Sequence, residues 1–287
     1  RQTGAVTWVD HGDATRFSGG LAIADNAAIS GNGRFVLFNG RGPGLGTPAP
    51  DQTLFLYDRQ TDTYENLAKD LDGTPVFADH FSISDDGGVI AFVSSAPNIV
   101  AGLTPDATGH AQAYRLVRST GVVTLASKTP AGDRSNGTAL HAYLSGDARR
   151  IFFDSTATDL VTPFAAQPRH SSANESDRSD VYVFDVDFGQ VGLVSQKDPF
   201  SPLPGRSFLN GANPVSDDGE RVALLTNADL TVALSGIGLG IVDVNGTATD
   251  AVLGTSPGFS TITQYGVRGL LSRSRPSDKH TCSDPNG

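Results

Sequence analysis

One hairpin recurs four times in this chain of 287 residues, and that recurrence limits the fold more than any other feature. Its clearest copy runs from Phe81 to Ser94, FSISDDGGVIAFVS, two short apolar strands joined by an Asp-Gly turn. It returns as NAAISGNGRFVLF from Asn26, AYLSGDARRIFF from Ala142 and NPVSDDGERVALL from Asn213. A unit of this size cannot bury its apolar face alone, so copies must pack on one another. The anchoring serines Ser30, Ser84, Ser145 and Ser216 stand 54, 61 and 71 residues apart. That drift suits a four-stranded unit with loops of variable length better than a solenoid of steady period.

Each repeat divides into four strands of apolar residues bounded by Gly, Asp and Asn. The first unit is Ala27–Ser30, Arg34–Asn39, Thr53–Asp58 and Thr63–Ala68, and the second Phe81–Ser84, Val89–Ser94, Ala111–Val117 and Val122–Ser127. The third is His141–Ser145, Arg150–Asp154, Val181–Val186 and Val191–Gln196, and the fourth Pro214–Ser216, Arg221–Thr226, Gly240–Val244 and Thr249–Gly254. The expectation is an all-β β-propeller of four-stranded antiparallel blades, with four clear blades and an incomplete fifth. Gly4–Val9 matches the return strand after Asp58, so the fifth blade would take it as outer edge and residues 256–272 as inner strands. The propeller domain would cover residues 1–272, and the polar stretch 273–287 would be a disordered tail. No methionine is present, even at position 1, which reads as a processed form or as part of a larger six- to eight-bladed protein.

Composition removes several classes of function. Net charge is −10, without a run of Lys or Arg, so nucleic acid is not an expected partner. No apolar run reaches the roughly 18 residues that span a bilayer, so membrane insertion is not expected either. Cys282 is the one cysteine, and no internal disulfide can form.

The units resemble the repeat of the TolB-like bacterial β-propeller family. The resemblance rests on Ser84-Asp85-Asp86-Gly87-Gly88-Val89-Ile90-Ala91-Phe92 and Asp180-Val181-Tyr182-Val183-Phe184-Asp185, and it covers residues 1 to about 254. The pattern departs at Gly146-Asp147-Ala148, where the turn glycine is displaced, and at Ala113-Tyr114-Arg115-Leu116, where the acidic strand ends are absent. What the resemblance implies is a secreted or periplasmic, monomeric, protein-binding propeller with tight turns on one face and long loops on the other.

The turn aspartates are conformational, because Asn and Asp tolerate left-handed backbone and Gly adopts it freely. Chemistry belongs on the opposite, loop-bearing face. His11, His80, His110, His141 and His170 fall on or beside it and are the candidate ligand-binding residues, with His80 and His141 directly before inner strands. None forms a His-x-x-x-His pair, and scattered loop histidines are the competing reading. Asn174, Glu175, Asp177 and Asp180 concentrate hard oxygen ligands, which makes calcium the candidate ion, though they lack the order of a known calcium loop. No other cofactor is indicated. Gly254-Thr255-Ser256-Pro257-Gly258 has the spacing of a nucleophile elbow without the helix that motif needs. The strand aromatics are expected between blades. The favoured function is a binding module for protein, peptide or glycan. The alternatives are a lyase or hydrolase holding a metal with loop-face His and acids, and a structural domain of a larger secreted protein.

Overall fold

The computed structural model of the chain describes residues 26–40, 53–103, 109–161, 179–198, 201–202, 207–209, 214–226, 238–243, 251–255 and 259–262. They form strands and turns, with no helix among the described residues. The first sheet contains β1 (Ala27–Ile29), β2 (Phe35–Gly40), β3 (Thr53–Asp58) and β4 (Thr63–Asn66). The second contains β5 (Asp79–Ile83), β6 (Val89–Ser94), β7 (Gln112–Val117) and β8 (Val122–Leu125). The third contains β9 (Ala139–Leu144), β10 (Arg150–Ser155), β11 (Asp180–Asp185) and β12 (Gln190–Leu193). Each is an antiparallel meander in chain order. A short hairpin, β13 (Gln196–Asp198) with β14 (Ser201–Pro202), leads to the fourth sheet. That sheet runs β15 (Ser207–Phe208), β16 (Arg221–Thr226), β17 (Gly238–Asp243), β18 (Ala251–Thr255) and β19 (Phe259–Ile262).

Two expectations change in the fourth sheet. Pro214–Ser216 is not a full strand: Val215 alone bridges Val222, while β15 pairs with the other end of β16. Phe259–Ile262 does not begin a fifth blade but pairs along β18 as an outermost fifth strand. Residues 256–258 are all that separate the two strands, and so short a connection admits only an antiparallel neighbour. Gly4–Val9 and 273–287 lie outside the described residues.

The central strands carry continuous apolar runs because both their faces are buried. In β2 and β3, Phe35, Leu37, Leu54 and Leu56 face the second sheet, while Phe38, Phe55 and Tyr57 form a cluster on the other face. In β10 and β11, Ile151, Phe153, Tyr182 and Phe184 face the second sheet, and Phe152, Val181 and Val183 face the fourth. The sheets thus stack side by side as successive propeller blades, with β1 against β5 and β5 against β9. Cross-strand aromatic pairs recur at one position, Phe38 with Phe55 at 5.8 Å, Phe92 with Tyr114 at 5.5 Å and Phe153 with Tyr182 at 5.6 Å. Such pairs contribute about 0.5–1.5 kcal/mol beyond buried area. The fourth sheet has Leu224 opposite Gly240 instead.

The four tight turns share one hydrogen-bond pattern. Ser30, Ser84, Ser145 and Ser216 donate to the side chain two residues on, Asn32, Asp86, Asp147 or Asp218, at 2.6–2.7 Å. Each acceptor also holds the amide two residues beyond itself. The aspartates are thereby committed to the turn, as the sequence indicates, and hydrogen bonding to Ser84 and the Gly88 amide lowers the Asp86 pKa. The turns are also linked: Asn32 N donates to Asp85 O, Asp85 N to Gly146 O, and Asp147 N to Asp217 O. A Cβ at Gly31 would stand 2.4 Å from the Asp85 carboxylate, so this end of the stack requires a residue without one.

Candidate functional site

At the opposite end of the inner strands, the repeat brings equivalent positions together. Asn26, His80 and His141 each stand four residues before an anchoring serine, at the starts of β1, β5 and β9. The His80 and His141 rings lie 4.6 Å apart, inclined at 67°. Asn26 Nδ2 donates to Asp79 Oδ1 at 3.1 Å, which ties the first sheet to the second beside this pair.

His141 owes its orientation to strand register. It pairs across the ladder with Asp154 of β10, and its Nδ1 lies 2.9 and 3.1 Å from the two Asp154 oxygens. Asp154 is fully buried. A carboxylate accepts from an imidazole N–H, so this pairing makes Nδ1 the donor to Asp154 and leaves Nε2 as the ring nitrogen not engaged by it. Tyr143, next on the same face of β9, stacks on His141 with ring centroids 6.2 Å apart. Burial, and then the Asp154 charge, raises the Tyr143 pKa.

His80 sits on a β-bulge. Asp79 faces Val93 and Ser82 faces Ala91, so two residues, His80 and Phe81, oppose Phe92 alone. Its φ of 44° is left-handed, a region that side chains with a Cβ seldom occupy. A bulge re-aims a side chain, and here it turns the imidazole toward His141. Burial is the main reason that the His80 pKa lies below its ordinary value; His141 acts in the same direction, and Asp79 and Asp154 oppose it. Chemically the pair presents a neutral imidazole beside a second imidazole backed by a carboxylate, a combination that can accept hydrogen bonds or take a proton.

The other expected residues fall elsewhere. His110 is half-buried just before β7 and is not among the charges acting on His80. His11, His170, Asn174, Glu175, Asp177 and the Gly254–Gly258 serine lie outside the described residues. Asp180 is not on an exposed loop: it opens β11, is buried, and its Oδ1 accepts from Ser195 Oγ at 2.8 Å. Gln112 does the same work at the start of β7, accepting from Ser127 and Ser135. The latch's one signal in the sequence is that Thr53, Gln112 and Asp180, all polar, recur at the first position of the third strand. Among the described residues no three His, Cys, Asp or Glu side chains are grouped so as to hold a metal.

No family model matches the chain, and no curated protein matches it. Solved structures similar to it include TolB from Acinetobacter baumannii, at 16% identity and a TM-score of 0.44, covering 86% of this chain and 56% of that one. An oligogalacturonate lyase from Vibrio parahaemolyticus is similar at 10% identity and a TM-score of 0.45, covering 81% of this chain and 62% of that one. An acylaminoacyl peptidase from Pyrococcus horikoshii is similar at 10% identity and a TM-score of 0.45, covering 88% and 40%. The chain therefore spans less than two thirds of the length of these proteins. At such identities no activity transfers from them.

Proposed function

We propose that the protein is a propeller-type binding module that receives a protein, peptide or glycan at the loop-bearing end of its inner strands, over His80 and His141. The observation that carries the reading is the left-handed bulge at His80, which directs the imidazole to His141. Strained backbone of this kind persists where the surroundings over-determine it, and it concentrates at ligand sites. The opposite end is occupied by linked turns, which leaves this end as the place where polar groups converge. The scaffold in this reading is a monomer with at least the four described blades, secreted or periplasmic as the repeat's resemblance implies. No helix of the described residues is long and apolar enough to cross a membrane.

A second reading, catalysis, is favoured by one feature: the buried Asp154 holds Nδ1 of His141 and leaves Nε2 as a base. Peptide and glycan arrays probed with the purified protein, His80→Gly and His141→Ala separate the two readings. Binding in the wild type that weakens at least about tenfold in both variants, with an unchanged or higher melting temperature for His80→Gly, supports the binding module. Equal binding by all three proteins overturns it. So does conversion of an array ligand to product, or stoichiometric calcium, zinc or manganese that His80→Ala or His141→Ala releases.

A further inference from the structure

A second surface, separate from the histidine pair, has the features of a docking site for an extended chain. We propose that the outer edge of β12, with the cleft beside it, takes an extended acidic peptide segment of a partner protein as an added strand.

The cleft has a volume of about 510 Å³ and is lined by residues 189–193 on one side and 128–132 on the other, with Leu160 and Val161 between. Side chains of a strand alternate between its faces, so a cavity over one face would touch every second residue. Five consecutive residues line this one, two of them glycines, so it reaches the backbone of β12, in the groove where the second and third sheets meet. β12 ends its sheet, and among the described residues no strand pairs with its outer side. Its outward N–H and C=O groups are therefore available to a peptide backbone.

The chain already shows such an addition on the next blade. There β19 pairs antiparallel with β18 over Ala251–Gly254, the outer edge that corresponds to the free side of β12. The geometry of a blade edge in this protein thus accepts a fifth strand.

Charge defines the occupant. Lys128 Nζ lies 5.2 Å from the Phe184 ring centroid, and among the described residues no carboxylate pairs with it. A Cβ at Gly189 would lie 3.8 Å from this ammonium, which places the cation across the first turn of the edge. Lys128 is half-buried as a residue, and a cation with no counter-charge beside it favours a ligand that brings a carboxylate. Phe188, beside Gly189, is 79% exposed, and an aromatic in that position is a typical anchor for a partner. The occupant that satisfies edge, cation and the exposed Phe188 together is a strand of alternating apolar residues with one Asp or Glu near Lys128. The inference is independent of the histidine site.

The test titrates the isotope-labelled protein with the peptide Ac-Ser-Val-Asp-Val-Ser-Val-NH2 and follows backbone amide signals. Saturable shifts confined to residues 128–132 and 188–193, at millimolar peptide or below, support the proposal. N-methylation of alternate peptide residues removes backbone donors and should abolish the shifts. Asp→Asn in the peptide, or Lys128→Met in the protein, should weaken binding about fivefold, and the two changes together no further than one alone. The peptide change needs no protein variant, so misfolding cannot imitate it. Absence of shifts at residues 188–193 overturns the proposal, as does a response indifferent to N-methylation. Strong exchange protection of the outward β12 amides in the protein alone also overturns it, because the edge would then be covered by this chain or a second copy.

Discussion

His80 combines two costs, a left-handed φ and an imidazole that is partly desolvated although its edge is exposed, and both have measurable consequences. The left-handed backbone costs a residue with a Cβ about 1–2 kcal/mol. Because the folded pKa is depressed, the unfolded chain binds more protons between that value and the ordinary one near 6.5, and stability falls as pH drops through the interval. Urea unfolding should therefore show a midpoint that declines from about pH 7.5 to about pH 5.5, with a shallower decline in His80→Gly. Identical slopes would exclude His80 as the source. Asp58 works in a lower window. The hydrogen bond from Arg34 holds its carboxyl well below the usual range, so its contribution is present above about pH 4 and lost below. Both histidines are legible in the sequence from their place four residues before Ser84 and Ser145. Their contact is not, since spacing establishes equivalence and says nothing of the distance between sheets.

The hairpin turn shows how far local chemistry reaches at the scale of an element. Gly33, Gly87 and Gly219 have positive φ, and Ala148 takes the same conformation at 59° where the glycine is displaced. A Cβ at Gly87 would also stand 2.1 Å from the Phe35 ring of the neighbouring sheet. Gly87→Ala should therefore lower unfolding free energy by about 2 kcal/mol or more, from strained backbone and overpacking together. Ala148→Gly should act in the opposite direction by less than about 1 kcal/mol, because relief of φ outweighs one lost buried methyl. Denaturant midpoints of the two variants check both signs, and a loss of stability in Ala148→Gly would refute the second. The irregular Gly146-Asp147-Ala148 copy reads as a defect in sequence, yet its hydrogen bonds match those of the other turns. Asp180 errs the other way. Its acidic neighbourhood suggests a loop ligand, and only the pairing of β11 with β12 shows it as a latch to Ser195.

For the whole molecule, stability is shared between sheets. Ala91, Val93 and Ala113 of the second sheet and Leu144, Ile151, Phe153 and Tyr182 of the third belong to one apolar cluster. Phe153→Ala should cost about 3–5 kcal/mol, and hydrogen exchange should show the second and third sheets losing protection together. Loss confined to β9–β12 would mean that the blades open independently. The sequence by itself determined the all-β repeat, the tight turns and the two-sided burial of central strands, because period-two apolar patterning and turn residues act within a few positions of one another. Tertiary structure alone decided that Phe259–Ile262 extends the fourth sheet, that Asp154 lies behind His141, and that His80 and His141 meet. Those outcomes depend on which edges pair and how closely neighbouring sheets pack, and both follow from contacts between residues far apart in the chain.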